Sequence, residues 1–192
     1  MRSTILSIII ALVTPTVAVA QVWTLDKAHS QINFSVSHLV VAEVTGGFNA
    51  FDMTFESSKD DFTDAKITAS IKTESIDTEN GKRDGHLKSD DFLNAGKFPT
   101  ITFTSTSVEK TGDGRFNIKG DLTIRDITKP VVLDTQFKGT IQDPWGGTRA
   151  GFKATTTIDR FDYGVRWNAA MESGGLVAGK DVEITLLIEL IR

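Results

Sequence analysis

Residues 116–141 read FNIKGDLTIRDITKPVVLDTQFKGTI. Phe116, Ile118, Leu122 and Ile124 share one parity, and Val131, Leu133, Thr135, Phe137 and Ile141 share another, with polar residues between them. Side chains two apart on a strand point the same way, so each run reads as a strand with one buried and one solvated face. Gly120 interrupts the first stripe and reads as a bend or bulge. Two such strands joined by a few polar residues form an antiparallel pair.

The same period extends in both directions. Ile32, Phe34 and Val36 alternate with polar residues, as do Phe51, Met53 and Phe55, then Ile67, Ala69 and Ile71, then Ile101 and Phe103. Phe152, Ala154, Thr156 and Ile158 follow, and Val182, Ile184, Leu186, Ile188 and Leu190 close the chain. This gives eight or nine strands, depending on whether Trp23 to Asp26 is counted. Turn signals stand at Gly46-Gly47, Ser57 to Asp61, Thr111 to Gly114, Asp143 to Gly147 and Gly174-Gly175. Two segments break the alternation. Gly81 to Phe92 has Leu87, Phe92 and Leu93 spaced for a turn or two of amphipathic helix, and Phe161 to Gly179 is a long connection carrying Tyr163, Trp167 and Met171, with room for a short helix. An all-antiparallel chain of this kind forms a sandwich or a closed barrel. The strongly apolar last strand would be hazardous on an open edge, which favours the barrel.

One core is expected from 192 residues. Arg2, the apolar run Ile5 to Val13 and Ala18-Val19-Ala20 have the order of a secretory signal peptide cut after Ala20, which leaves residues 21–192 as the domain. The chain has no cysteine, so thiol and disulfide chemistry are excluded, as is a lipoprotein anchor. The formal charge is -4, and without Arg2 there are 20 basic against 25 acidic side chains, which argues against nucleic acid as a partner.

No motif for catalysis stands out: there is no G-x-S-x-G, no phosphate-binding loop and no zinc spacing among His29, His38 and His86. Asp60-Asp61 and Asp90-Asp91 lie in polar turns and read as solvated carboxylates. Arg83, Asp84 and Asp90 read as an ion-pair network anchoring the irregular segment. The expectation is a protein that is not an enzyme and holds no metal.

Several stretches resemble the YceI family: Trp23 to Asp26 with His29-Ser30, Phe34 to Leu39, Gly47-Phe48, Ser75 to Thr78, Arg83 to Phe92, Phe98 to Phe103, Gly120 to Arg125, Thr128 to Val131, Gly151-Phe152 and Arg160 to Gly164. One departure is Asp126, where the family's turn has Gly, so a left-handed backbone is expected there. The resemblance implies an all-β, extended eight-stranded antiparallel lipocalin-like barrel with one or two short helices, exported to the periplasm. It implies a lumen that binds a long isoprenoid or a fatty-acid-like lipid. No cofactor is required. A bound polyprenyl lipid or isoprenoid quinone is the natural occupant, and an accessory redox role with a membrane cytochrome is the alternative to a carrier. A homodimer and a transient membrane contact are left open.

Eight strands enclose a space that side chains fill or one slim ligand occupies. Strands of about ten residues, tilted by roughly 40°, leave ~25 Å along the axis. Inward parity assigns Phe34, Val36, Phe51, Phe103, Leu122, Ile124, Phe137 and Phe152 to the lumen. His38, Phe48, Phe92, Phe161 and Trp167 are assigned to the mouth, with His38 the candidate for the ligand head group. This strip holds no Lys or Arg, so a charged head is expected to stay near water.

Overall fold

The computed structural model of the chain describes residues 21–168 and 177–192, so the expected signal segment, Met171 and the expected Gly174-Gly175 turn lie outside the described residues. Eleven strands form one antiparallel sheet: β1 (Gln21–Leu25), β2 (Gln31–His38), β3 (Ala42–Phe48), β4 (Phe51–Ser57), β5 (Lys66–Lys72), β6 (Ile76–Asp77), β7 (Thr100–Gly112), β8 (Arg115–Ile124), β9 (Ile127–Gln142), β10 (Thr148–Asp159) and β11 (Ala178–Ile191). Among the described residues a single α-helix, α1 (Gly81–Lys88), lies between β6 and β7.

The eleven strands make eight staves. β1 and β2 run one after the other along β11, which pairs Leu25 with Leu190 and Leu187 with Gln31. β3 and β4 continue one another opposite them, and so do β5 and β6. The interruptions stay laced to their neighbours. Ser30 Oγ accepts from the Glu189 N–H at 3.0 Å, and Asn49 N–H donates to the Ser75 carbonyl at 3.0 Å. Each of the eight staves therefore pairs on both sides, and the β1–β11 pairing closes the sheet into an up-and-down antiparallel barrel. Closure covers the edge that the apolar β11 would otherwise expose.

Inward positions are apolar and outward ones polar. On β5, Ile67 and Ile71 are buried while Lys66, Thr68, Ser70 and Lys72 are exposed. This is the reverse of a barrel whose outer wall faces lipid. Two bulges break the parity that the sequence shows. One lies between Ser105 and Ser107 on β7, the other beside Gly139 on β9, whose φ is 119°. The second turns Ile141, expected inside, out to 63% exposure. Gly120 stands opposite the β7 bulge, paired with Ser105. A Cβ there would sit 2.4 Å from the Phe103 ring and 2.6 Å from the Thr104 carbonyl, so the glycine admits an aromatic ring across the lumen wall.

Two turn expectations and one helix expectation are corrected. Gly46 and Gly47 lie inside β3, and the reversal falls at Leu39-Val40-Val41. Between β8 and β9 the left-handed residue is Arg125, at φ 58°, rather than Asp126. The Arg125 side chain offsets that strain by donating to the Gly164 carbonyl at 2.9 Å and lying over the Phe98 ring. The polar segment is helical only over Gly81–Lys88, so Phe92 and Leu93 follow the helix rather than lie on it. The later connection opens with a 3-10 turn at Arg160–Tyr163.

Candidate functional site

The barrel closes at the end where β4, β7, β9 and β11 finish. The loop between β4 and β5 folds Phe62 inward, 5% exposed, with its ring 5.3 to 5.7 Å from those of Trp23, Phe55, Phe137 and Phe152. Phe62 holds φ at 57°, unusual for a bulky residue. Asp64 holds the loop in place. Its carboxylate accepts from Ser57 Oγ at 2.6 Å, from Ser58 N–H and Oγ, and from Lys59 N–H, and these bonds keep its pKa well below the usual carboxylate range. Nothing in the alternation pointed to this plug, because Phe62 sits alone in a polar loop.

Above the plug lies a cavity of about 700 Å³. Its walls are mainly Ile, Leu, Val, Phe, Met and Ala from all eight staves, with Asn33, Ser37, Thr135 and Thr156 as polar residues of the strands. Thr135 satisfies its hydroxyl within the wall, donating to the Leu133 carbonyl at 3.2 Å.

The opposite end is lined differently. Asn80 accepts from the Arg83 N–H at 3.1 Å and caps α1, which lies over this end of the barrel. Asn80, Lys82, Arg83, His86 and Leu87 reach the cavity from this segment, Phe92 and Leu93 from the turn after it, and His38 from the end of β2. The rings of His86, Phe92 and Trp167 form a triangle with centroids 4.9 to 5.1 Å apart. Arg160, just past the end of β10, is 6% exposed and lines the same end. Its guanidinium donates to the carbonyls of Val165, Trp167, Ala178 and Gly179 at 2.7 to 3.0 Å and lies over the Phe161 ring. Among the described residues no carboxylate lines the cavity, and burial pulls the Arg160 pKa down. Tyr163 is buried nearby, and desolvation pushes its phenol up to about 12, so it stays neutral. Among the described residues, every charged group on the cavity wall is basic, and all sit at one end.

Most of the residues assigned from parity line this cavity: Phe34, Val36, Phe51, Phe103, Leu122, Ile124 and Phe152 along the shaft, with His38, Phe48, Phe92 and Trp167 toward the mouth. Phe137 and Phe161 do not. The β9 bulge leaves Phe137 in the plug, 5.2 Å from Phe152, and Phe161 stacks under Arg160. The expectation that Lys and Arg are absent from the lumen is corrected by Lys82, Arg83 and Arg160. Arg160 continues the inward parity of Phe152, Ala154, Thr156 and Ile158, the signal that would have found it. Arg83 and Asp84 do not form the expected ion pair with Asp90. Both bind Thr78, Arg83 through Nε to Oγ1 at 2.7 Å and Asp84 by accepting from the same hydroxyl at 2.5 Å, while Asp91 pairs with His86.

His29 lies at the closed end, far from the mouth. With Asp26 and Glu189 it makes a set of three ligand-type groups within 4.8 Å of one another. Arg149 occupies that cluster, donating to Asp26 and Asp143 at 2.7 Å and to Glu189, so an ion pair fills the space a cation would need.

The YceI-like domain family matches residues 23–190. A UPF0312 protein of Shewanella baltica strain OS185 is 40% identical over the whole length of both chains. Among solved structures, the YCEI protein of Campylobacter jejuni is 30% identical with a TM-score of 0.69, over 88% of this chain and 96% of its own. A polyisoprenoid binding domain from Saccharophagus degradans, implicated in plant cell wall breakdown, shares 15% identity at a TM-score of 0.62, over 88% and 97% of the two chains. A family match spanning the whole barrel, with relatives this similar over their full length, shows that the chain belongs to the YceI-like family.

Proposed function

We infer that the protein is a periplasmic carrier of a long isoprenoid or similar amphiphilic lipid, its tail in the barrel and its head group among the basic residues at the mouth. The observation that carries this reading is the cavity's polarity, an apolar shaft with cationic and donor groups at one end only. At ~24 cal/mol per Å³, an empty apolar space of this size costs roughly 17 kcal/mol, more than the net stability of most domains. Water filling it would find few polar partners along the shaft. A hydrocarbon tail meets the same walls at a gain of ~0.8 kcal/mol per buried CH₂. The polyisoprenoid binding of the Saccharophagus relative agrees with this assignment.

At the mouth, a head group rich in acceptor oxygens would find Lys82 and His38, whose side chains make no hydrogen bond among the described residues. Arg160 has four of its five N–H bonds engaged by backbone carbonyls, so it orders the rim and sets its positive field rather than grasping the ligand. The reading involves no bond-making step, consistent with a binding protein and not an enzyme. Organic extraction of the exported, purified protein followed by mass spectrometry is expected to release a long-chain amphiphile at about one per chain. Recovery of no lipid above a control protein purified alongside would contradict the reading.

A further inference from the structure

The reversal between β2 and β3 carries three consecutive large apolar side chains, Leu39, Val40 and Val41, which are 39%, 71% and 88% exposed. Leu39 and Val40 have φ of 53° and 66°. Hairpin turns with this backbone are the places where Gly, Asn and Asp are favoured, and a β-branched residue there is strained. The sequence thus holds apolar side chains at the tip against both solvation and backbone preference. No other turn in the described residues combines these features.

The tip stands on the rim of the cavity. His38 and Val36 before it and Val44 after it line the lumen, and Leu39 N–H donates to the carbonyl of Val177, another lining residue, at 3.0 Å. Among the described residues, the charged groups that line the cavity at this rim, Lys82, Arg83 and Arg160, are basic in a chain of net charge -4, while the acidic groups beside them, Glu43 on the hairpin and Asp91, are bonded to Ser35 and His86. We propose that Leu39-Val40-Val41 is a membrane-docking tip that inserts into the surface of an anionic lipid bilayer and holds the mouth against it while lipid passes in or out. The proposal rests on the lipid-carrier reading above for its purpose, but docking is measurable without it.

A bilayer fits this feature better than a protein or a second copy does. A stable protein interface needs about 800 Å² from each side, which three residues on a convex tip do not offer. Insertion into a bilayer needs only a few apolar side chains, aided by nearby positive charge. An entry route through the bilayer also spares the apolar tail a passage through water.

The test uses the full exported chain and the double variant Val40→Asn/Val41→Ser. Asn tolerates the left-handed backbone, so the variant is expected to melt at the same temperature as the wild type or higher. Flotation with phosphatidylethanolamine–phosphatidylglycerol vesicles is expected to recover the wild type and to lose the variant by about tenfold or more. Transfer of a fluorescent prenyl phosphate from those vesicles should slow to a similar degree, while uptake of the same probe from cyclodextrin stays unchanged. Equal flotation of both proteins, or of neither, overturns the proposal, as does tip-dependent recovery seen only on vesicles that carry membrane proteins. Tip-dependent flotation by a wild type that refuses the probe from cyclodextrin upholds the docking tip and overturns the carrier reading instead.

Discussion

Phe62 and Phe103 are both buried aromatic residues, yet they face different surroundings. Phe62 is enclosed by four other rings, whereas Phe103 lies over Gly120 with its other side on the cavity. Phe62→Ala is therefore expected to destabilise the lipid-free protein by about 3–5 kcal/mol, as for a filled core, and Phe103→Ala by clearly less, because part of its environment is already vacant. Urea unfolding of the two variants would show this, and equal losses would mean the shaft is as well packed as the plug. Asp26 gives a prediction in pH. Its hydrogen bonds with His29 and Arg149 lower its pKa from 3.8 to about 2, so its stabilisation is present above the unfolded value and is lost as the pH falls through the folded one. Asp26→Asn should thus lower the melting temperature at neutral pH, with the gap to wild type closing between about pH 4 and pH 2. Thermal scans across that range check it. At this scale the sequence showed the lining well, since parity alone placed Phe34, Phe103 and Leu122 on the cavity. It hid Phe62, which follows no period, and Arg160, whose inward parity is visible only once the end of β10 is known.

Among the elements, α1 decides how the mouth is built. Its N-terminus is fixed by Asn80, and Arg83 and Asp84 tie its first turn to Thr78. Asn80→Ala should cost about 1 kcal/mol and raise hydrogen exchange over residues 81–88 with little change in the barrel strands. Exchange mass spectrometry separates the two, and a uniform rise across the sheet would show that the helix is part of the core and not a cover. Alternation placed eight strands, nine with β1, but missed β3 and β6 of the eleven observed. The reversals did not follow from it, for a physical reason: glycine pairs usually mark turns, but here Gly46 lies within a strand because its missing Cβ lets Phe34 and the backbone of Asp77 approach to under 3 Å of where that atom would be. The actual turn carries Leu39 and Val40, residues that local propensity would keep out of it. Bulges on β7 and β9 were equally silent, since one extra residue shifts parity without changing composition.

For the whole molecule, alternation could not separate a sandwich from a barrel, and the barrel closes where the broken β1–β2 stave pairs β11, by two residue pairs from β1 and seven from β2. The broken staves matter here. Splitting three of the eight strands lets a short-stranded sheet stay laced around a long axis while parity resets at the joints, as between Phe48 and Phe51. Whether the centre is hollow was beyond reading from the sequence, because an inward aromatic looks the same against a neighbour as against a void. The resulting cavity has a sealed aromatic floor, an apolar shaft and a basic rim. The central claim, that tail burial in this shaft drives binding, is tested most directly by equilibrium affinities for a series of prenyl phosphates that differ only in chain length. Affinity should rise with each added unit until the tail fills the ~25 Å shaft and then level off, with a modest weakening in salt from the basic rim. Affinity independent of chain length, with binding abolished by salt, would contradict it.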